Sequence, residues 1–449
     1  MSARDKYDTQ LEGRVMSVKT ALIAIVIAAS VAGGCDKRTG AKARERSVEA
    51  EGIDGKSSEI YGVKHKVIIY EPQTEEPAKT TAQEQQRFTY HSSSSPDAIV
   101  GGLHHQRIRL TADKPELVNL PDFNQKYPLF FKWASPMAQN GFLFVAIDRT
   151  SESTLHDLLY IDSNGDGSLE DETARRANRK STRHVYFGPV QVRLKGEEGP
   201  IPRTLHFTLY DDDPHTLFVY SSGWYLGTIT ANGAKKQCML IDYNANGTFN
   251  DKSLDPLESD RIRIGAGDNK KTLCVGNYIE IYDKLYKLEV ASDGTSVKLA
   301  VANDVEFGRI RLPETITEFT AGGENGLFAG RPYNGIVELP LGKYRVDRWN
   351  SERKDDSGSC WKLEASGSSQ NSIFEVNEME EIELDFGETI ISSLNFDMRS
   401  GTYYFRHSMK GQLGESIVVT RNGARPPAPR LRIRNADGTY DQSYDFKYG

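Results

Sequence analysis

The chain has 449 residues, 38% hydrophobic and 27% charged, with a formal net charge of -7; this is enough for two to four domains. It carries no sizeable basic field, which argues against a nucleic-acid partner. None of the four cysteines stands in C-x-x-C spacing, which argues against a structural zinc site.

The apolar run Ala21–Ala32 follows Lys19 and precedes Gly33-Gly34-Cys35. It is too short to span a bilayer as a stable anchor. A basic flank, a short apolar core and small residues at a cut site form the layout of a secretion signal. Val31-Ala-Gly-Gly-Cys35 resembles the lipobox of bacterial lipoproteins, although Ala32 stands where that family usually has Leu, Val or Ile. The resemblance implies cleavage before Cys35, a lipid on Cys35, and attachment to a membrane of the cell envelope, periplasmic or at the surface. The other reading is an ordinary signal peptide with an incidental cysteine. Residues 1–15 are polar, so translation starts at Met1 or at Met16. Cys238, Cys274 and Cys360 would then remain. Cys238 and Cys274 flank an acidic loop and could pair; otherwise all three are small buried hydrophobes.

Residues 36–95 are polar and poor in aromatics, which leaves too little apolar area to offset the entropy of ordering. They read as a disordered tether, with Val67–Tyr70 as a brief apolar exception. From about Pro96 the texture changes to period-two alternation. In Thr204–Tyr210, Leu205, Phe207 and Leu209 share one face and His206 and Thr208 the other. Val190–Leu194, Tyr278–Tyr282, Leu285–Val290 and Val297–Val301 are similar, and Asp293-Gly294 is a hairpin signal. Asp171–Lys180, with Ala174 and Ala177, is the best short helix candidate.

Two stretches in this region repeat. Leu159–Glu172 reads LYIDSNGDGSLEDE, and Met239–Asp251 reads MLIDYNANGTFND, so Asp162 and Asp242 stand 80 positions apart. A fixed period implies a repeated supersecondary unit. In the first stretch Asp162, Asn164 and Asp166 alternate, Gly167 allows a sharp turn, Ser168 offers a carbonyl, and Glu170, Asp171 and Glu172 follow. A hard cation such as Ca²⁺ needs six to eight oxygens around one point, and a tight loop with such spacing can supply them. The pattern resembles the calcium loop of EF-hands and, more closely, those of dockerins and thrombospondin-type repeats. It departs at the twelfth position, where Thr173 replaces the bidentate glutamate, leaving Asp171 or Glu172 to supply that carboxylate. A strand, not a helix, precedes the loop. The second stretch offers Asp242, Asn244, Asn246, Thr248, Asn250 and Asp251; with only two carboxylates it is expected to bind more weakly. Oxygen-only donors favour Ca²⁺ over zinc or copper. The competing reading is a pair of metal-free Asx turns.

Near Phe307 the character shifts again. Asn334–Trp349 reads as strand, Pro-Leu-Gly turn and strand, and resembles the hairpin of immunoglobulin-like modules in bacterial surface proteins. The whole is mainly β. A signal with lipobox at 1–35 and the tether at 36–95 precede a repeated strand-loop-strand region at 96–305. An immunoglobulin-like β-sandwich at 306–388 follows, and residues 389–449 form a small C-terminal module or complete the first.

No H-E-x-x-H, G-x-S-x-G, phosphate loop or dinucleotide fingerprint is present. Asp211-Asp-Asp213, with His215, reads as a solvated turn or as a cation or substrate patch, and Trp133, Trp224, Trp349 and Trp361 as core. The expected function is an exported, lipid-anchored envelope protein with calcium loops and a non-enzymatic binding or structural role. Its partners would be the membrane, through Cys35, and an envelope protein or glycan. The alternative is an envelope hydrolase or carbohydrate-active enzyme with a hidden carboxylate pair.

Overall fold

The computed structural model describes residues 85–93 and 105–447, apart from 117, 125–127, 212–214, 268–269, 368–371, 379 and 388. Val31–Cys35, the apolar run before it and Val67–Tyr70 lie outside the described residues. The described chain is almost entirely β, as its alternation predicts.

It begins with β1 (Gln85–Arg87), β2 (Thr89–Ser92) and β3 (Gln106–Arg109). A meander of β4 (Leu129–Ala134), β5 (Phe142–Asp148), β6 (Leu158–Ile161) and the short β7 (Arg175–Arg176) follows. Next, β8 (Arg179–Lys180), β9 (His184–Gly196), β10 (Gly199–Tyr210) and β11 (Thr216–Ser221) form a second sheet, which β3 extends at the β11 edge. Along β9, Val190, Val192 and Leu194 are buried while Gln191 and Arg193 are exposed, which is the period of a strand with one dry face. That face meets Trp133, Val145, Ile147 and Ile161 of the meander in one core.

The plan then repeats. β12 (Gly223–Ala231), β13 (Ala234–Ile241), β14 (Arg261–Ile264) and β15 (Lys271–Cys274) form the second meander; β16 (Tyr278–Ile281), β17 (Lys284–Val290) and β18 (Ser296–Val301) form the sheet that shares its core. Its missing edges come from the start of the chain, because β2 pairs with β12 and β1 with β18. Phe88 thereby joins the second core. Gly227 makes room for it: a Cβ there would lie 2.7 Å from the Phe88 ring. The reading of 36–95 as tether is therefore corrected at its end. The helix expected at 171–180 is also absent. Arg175 and Arg176 pair with β6, and Arg179 and Lys180 with β9, so sheet edges override two well-spaced alanines.

Eleven further strands follow: β19 (Phe307–Arg311), β20 (Ile316–Gly323), β21 (Gly326–Gly330), β22 (Ile336–Pro340), β23 (Gly342–Lys354), β24 (Cys360–Ser366), β25 (Ile373–Val376), β26 (Ile382–Glu383), β27 (Ile391–Arg399), β28 (Thr402–Lys410) and β29 (Ser416–Arg421). The sheet β22-β19-β26 packs Ile310, Val337 and Leu339 against Phe319, Val346, Trp349 and Ala365 of the larger sheet built on β23. This is a β-sandwich. The Pro340-Leu341-Gly342 turn lies where expected, but β22 and β23 do not pair; the turn carries the chain from one sheet to the other. The boundary at 388 is not a domain break, because β29 pairs with β24.

Residues 83–426 form one compact unit. In the second unit the described part is the hairpin of β30 (Arg430–Arg434) and β31 (Asp441–Asp445), which turns at Asp437-Gly438.

Candidate metal centre

The two acidic loops leave equivalent strands. β6 ends at Ile161 and β13 at Ile241, both buried, and the next residue in each case is the first aspartate. Asp162 and Asp242 are 2% and 4% exposed. Seven residues later Leu169 and Phe249, both fully buried, pull the chain back into a core. Gly167 and Gly247 turn the loop at φ +86° and +91°, a region that a side chain disfavours.

The hydrogen bonds also correspond. Asp162 Oδ1 accepts the Gly165 and Asp166 N–H groups at 2.7 and 3.1 Å, and Oδ2 accepts that of Gly167 at 2.9 Å. Asp242 accepts the Asn246 and Gly247 N–H groups at 3.1 and 3.0 Å. Asn164 Oδ1 accepts the Asp166 N–H at 3.0 Å; its Nδ2 donates to Asp166 Oδ2 at 3.0 Å and to Asp171 Oδ2 at 3.1 Å. Asn244 does the same with the Asn246 N–H, at 3.2 Å, and with Asp251 Oδ2, at 3.0 Å. Asp171 and Asp251, nine positions after the first aspartates, thus hold matching places. Glu172 accepts the Ser163 N–H and, at 2.9 Å, the Ser163 hydroxyl. In the second loop the matching N–H, that of Tyr243, goes to Asp260 at 2.9 Å. Asp260 also accepts the Asp251 N–H at 2.9 Å. The sequence reading missed Asp260, because it lies beyond the repeat and on the next strand's threshold.

The remaining expected residues divide. Asp166 Oδ1 accepts the Ser168 N–H at 2.8 Å, and Ser168 Oγ accepts that of Glu170 at 3.2 Å. The Glu170 carboxylate is exposed and outside the network. Thr248 Oγ1 lies 2.6 Å from both Asn246 Oδ1 and Asp251 Oδ2. One hydroxyl proton serves only one of these acceptors at a time. Asn246 Nδ2 donates to Asp251 Oδ2 at 2.7 Å, and Asn250 takes no part.

The loops differ most in their surroundings. The first is open, with Asn164, Asp166 and Asp171 exposed; it is tied to β9 by the Arg193 N–H on Ser163 O at 2.8 Å. The second is wedged between the two cores. Ala245 O accepts Trp133 Nε1 at 2.9 Å and Gln106 Nε2 at 2.8 Å. Arg203, 1% exposed, donates from Nε to Gly247 O at 2.9 Å and from Nη2 to Asp293 O at 3.0 Å, with Phe249 beneath it at 4.9 Å. Its guanidinium is thus used on carbonyls and rings. Among the described residues no lysine or arginine hydrogen-bonds to Asp242, Asp251 or Asp260. Burial therefore pushes the Asp242 carboxyl up to about 6, against the pull of the Gly247 N–H and of Arg203. Burial, with Asp242 and Asp251 as like-charged neighbours, holds the Asp260 carboxyl well above its ordinary range. In the first loop burial likewise raises Asp162, opposed by its backbone donors.

Every donor in both loops is an oxygen, which suits a hard cation and not zinc or copper. Among the described residues, however, neither loop brings three carboxylates within 4.8 Å of one another. In the first loop the Asn164 amide lies between Asp166 and Asp171, so a cation would replace an N–H donor as the bridge.

The other sequence candidates lie elsewhere. Asp211 is not a solvated turn residue: its side chain is 4% exposed, between His156 and His215. Cys238 and Cys274 are buried and unpaired, and burial pushes the Cys238 thiol up to about 12; Cys360 is free and partly exposed. Trp133 and Trp349 are core residues, while Trp224 and Trp361 are half-buried. No protein-family model, curated protein or solved structure matches this chain.

Proposed function

We propose that this is an exported envelope protein, anchored through a lipid on Cys35, whose two Asx-rich loops bind calcium and lock a pair of β units. The role is structural or binding, not catalytic. One observation carries the reading. The loops keep matching aspartate and asparagine bonds 80 residues apart, and in the second one network of amide and backbone N–H donors links Asp242, Asp251 and Asp260 with no described lysine or arginine hydrogen-bonded to any of them. Buried like-charged carboxylates such as Asp242 and Asp260 are favoured by a proton or a nearby cation. Oxygen donors suit hard cations, and a loop that can offer six to eight of them suits calcium's large, flexible shell better than magnesium's strict octahedron. Asp162, Asn164, Asp166 and Asp171 would hold the first ion. Asp242, Asn244, Asn246, Thr248 and Asp251 would hold the second, with Asp260 orienting Asp251 and the Tyr243 backbone.

Calorimetric titration with calcium tests this on the wild type and on Asp162→Asn and Asp242→Asn. Each variant keeps the side chain's size and removes one charge, and it also gives up one turn bond, because both carboxylate oxygens accept backbone N–H groups. The wild type is expected to take up two equivalents and each variant one. Two equivalents in both variants, or none in the wild type, would refute it.

A further inference from the structure

The geometry points to a second kind of metal site, a His156–Asp211–His215 centre for a divalent transition ion of the zinc class. Among the described residues it is the one set of three His, Cys, Asp or Glu side chains whose ligand atoms all lie within 4.8 Å of one another. Its members come from two places in the first β unit. β10 and β11 pair Tyr210 with Thr216, so the next residue on each strand, Asp211 and His215, face each other across the hairpin end. His156 arrives from the segment entering β6, next to Leu155, which packs on the first core.

Asp211 Oδ1 lies 2.7 Å from His156 Nδ1 and 3.0 Å from His215 Nδ1. The 3.0 Å contact matches the edge of a coordination shell, in which two donors about 2.1 Å from one ion sit roughly 3.0–3.4 Å apart; the 2.7 Å contact is a hydrogen bond that a bound ion would open by a few tenths of an ångström. Ordinary hydrogen bonding leaves the trio incomplete. The His215 Nδ1 atom is buried and its contact with Asp211 does not have hydrogen-bond geometry. The carboxylate is held in place from behind, because Asp211 Oδ2 accepts the His156 N–H at 2.7 Å and the Asp211 N–H reaches Arg183 O at 2.8 Å. Such outer bonds fix a metal ligand's orientation. The two imidazole rings stand 5.2 Å apart and nearly perpendicular, so they do not stack and can share one ion.

Two imidazoles and one carboxylate are the donors that zinc-class ions prefer; calcium, which prefers oxygen, gains little from this set. Three protein ligands leave a fourth position. The histidine side chains are 17% and 29% exposed, so the site lies near the surface although the His215 Nδ1 atom is buried. The site shares no residue with either acidic loop and stands apart from the calcium reading.

The test uses the full chain without a polyhistidine tag. Zinc is titrated by calorimetry, and cobalt is followed by its visible d–d absorption. The expected result is one equivalent of zinc, with visible cobalt bands that zinc abolishes. His156→Ala and His215→Ala should each weaken zinc binding by about 100-fold, and Asp162→Asn should leave it unchanged. Should a histidine variant unfold, His215→Gln, which keeps a neutral side chain of similar length, replaces it. Absence of stoichiometric zinc uptake by the folded wild type would overturn the assignment, as would a histidine variant that keeps both the affinity and the cobalt bands.

Discussion

Gly167 and Gly247 hold the same place in two copies of one loop, so replacing each by alanine separates the loop's own strain from its docking. Both adopt positive φ, +86° and +91°, and an alanine there costs about 1–2 kcal/mol in backbone strain alone. A Cβ on Gly167 would meet nothing within 4 Å. A Cβ on Gly247 would lie 2.6 Å from Leu194 Cδ1 and 3.0 Å from Ser135 Oγ, with Trp133 at 3.5 Å. Overpacking of that kind adds about 1–3 kcal/mol. Gly167→Ala should therefore lose about 1–2 kcal/mol, and Gly247→Ala about 2–5 kcal/mol in all. Scanning calorimetry in EDTA is the assay, with fluorescence of the four tryptophans as a second readout, because a chain with several cores need not unfold in one step. At roughly 2–4 °C per kcal/mol the second variant should melt several degrees below the first. Equal losses, or a greater loss at Gly167, would refute the claim that the second loop is wedged between the two cores.

The buried acids and the amino terminus set three further expectations. The Asp242 carboxyl titrates near 6 in the fold and at the ordinary 3.8 when unfolded, so the native state keeps a proton that the unfolded chain has lost. Metal-free stability should accordingly fall as pH rises from about 4 to about 6, and Asp260 shifts in the same direction. Calcium bound as proposed would displace that proton, so affinity at the second loop should weaken by about tenfold per pH unit below 6, with proton release visible in buffers of different ionisation enthalpy. An affinity flat between pH 7 and pH 5 would exclude that linkage. Cys35→Ser should move the protein from the membrane fraction to the soluble one, and continued lipid labelling of that variant would rule out the lipobox assignment.

The legibility of the sequence followed the range of the interactions. The loops could be read because Asx turns and glycines at positive φ are local, and the 80-residue spacing returns in the fold as matching aspartate and asparagine bonds to the turn. The strands were readable wherever one face was dry, as in β9. What failed was set by distant partners. β2, with the sequence Thr-Tyr-His-Ser, has no apolar run to announce it, and it exists because Gly223 and Gly227 open space for Tyr90 and Phe88 more than 130 residues away. Residues 171–180 had helical spacing but lay beside two open sheet edges. Asp260 joined the second loop from outside the repeat. His156 and Asp211 are 55 positions apart, and only the β10–β11 register brings His215 to them.

The central claim is that the paired loops are calcium sites that stabilise the β units. Thermal unfolding in EDTA, then with calcium at 100 times Kd, tests it most directly. One site then contributes about 2.7 kcal/mol, which should raise the midpoint by several degrees, at roughly 2–4 °C per kcal/mol. The account predicts that rise, unmatched by magnesium and reduced in Asp162→Asn and Asp242→Asn. An unchanged midpoint together with no heat of calcium binding would contradict it and leave the loops as metal-free turns.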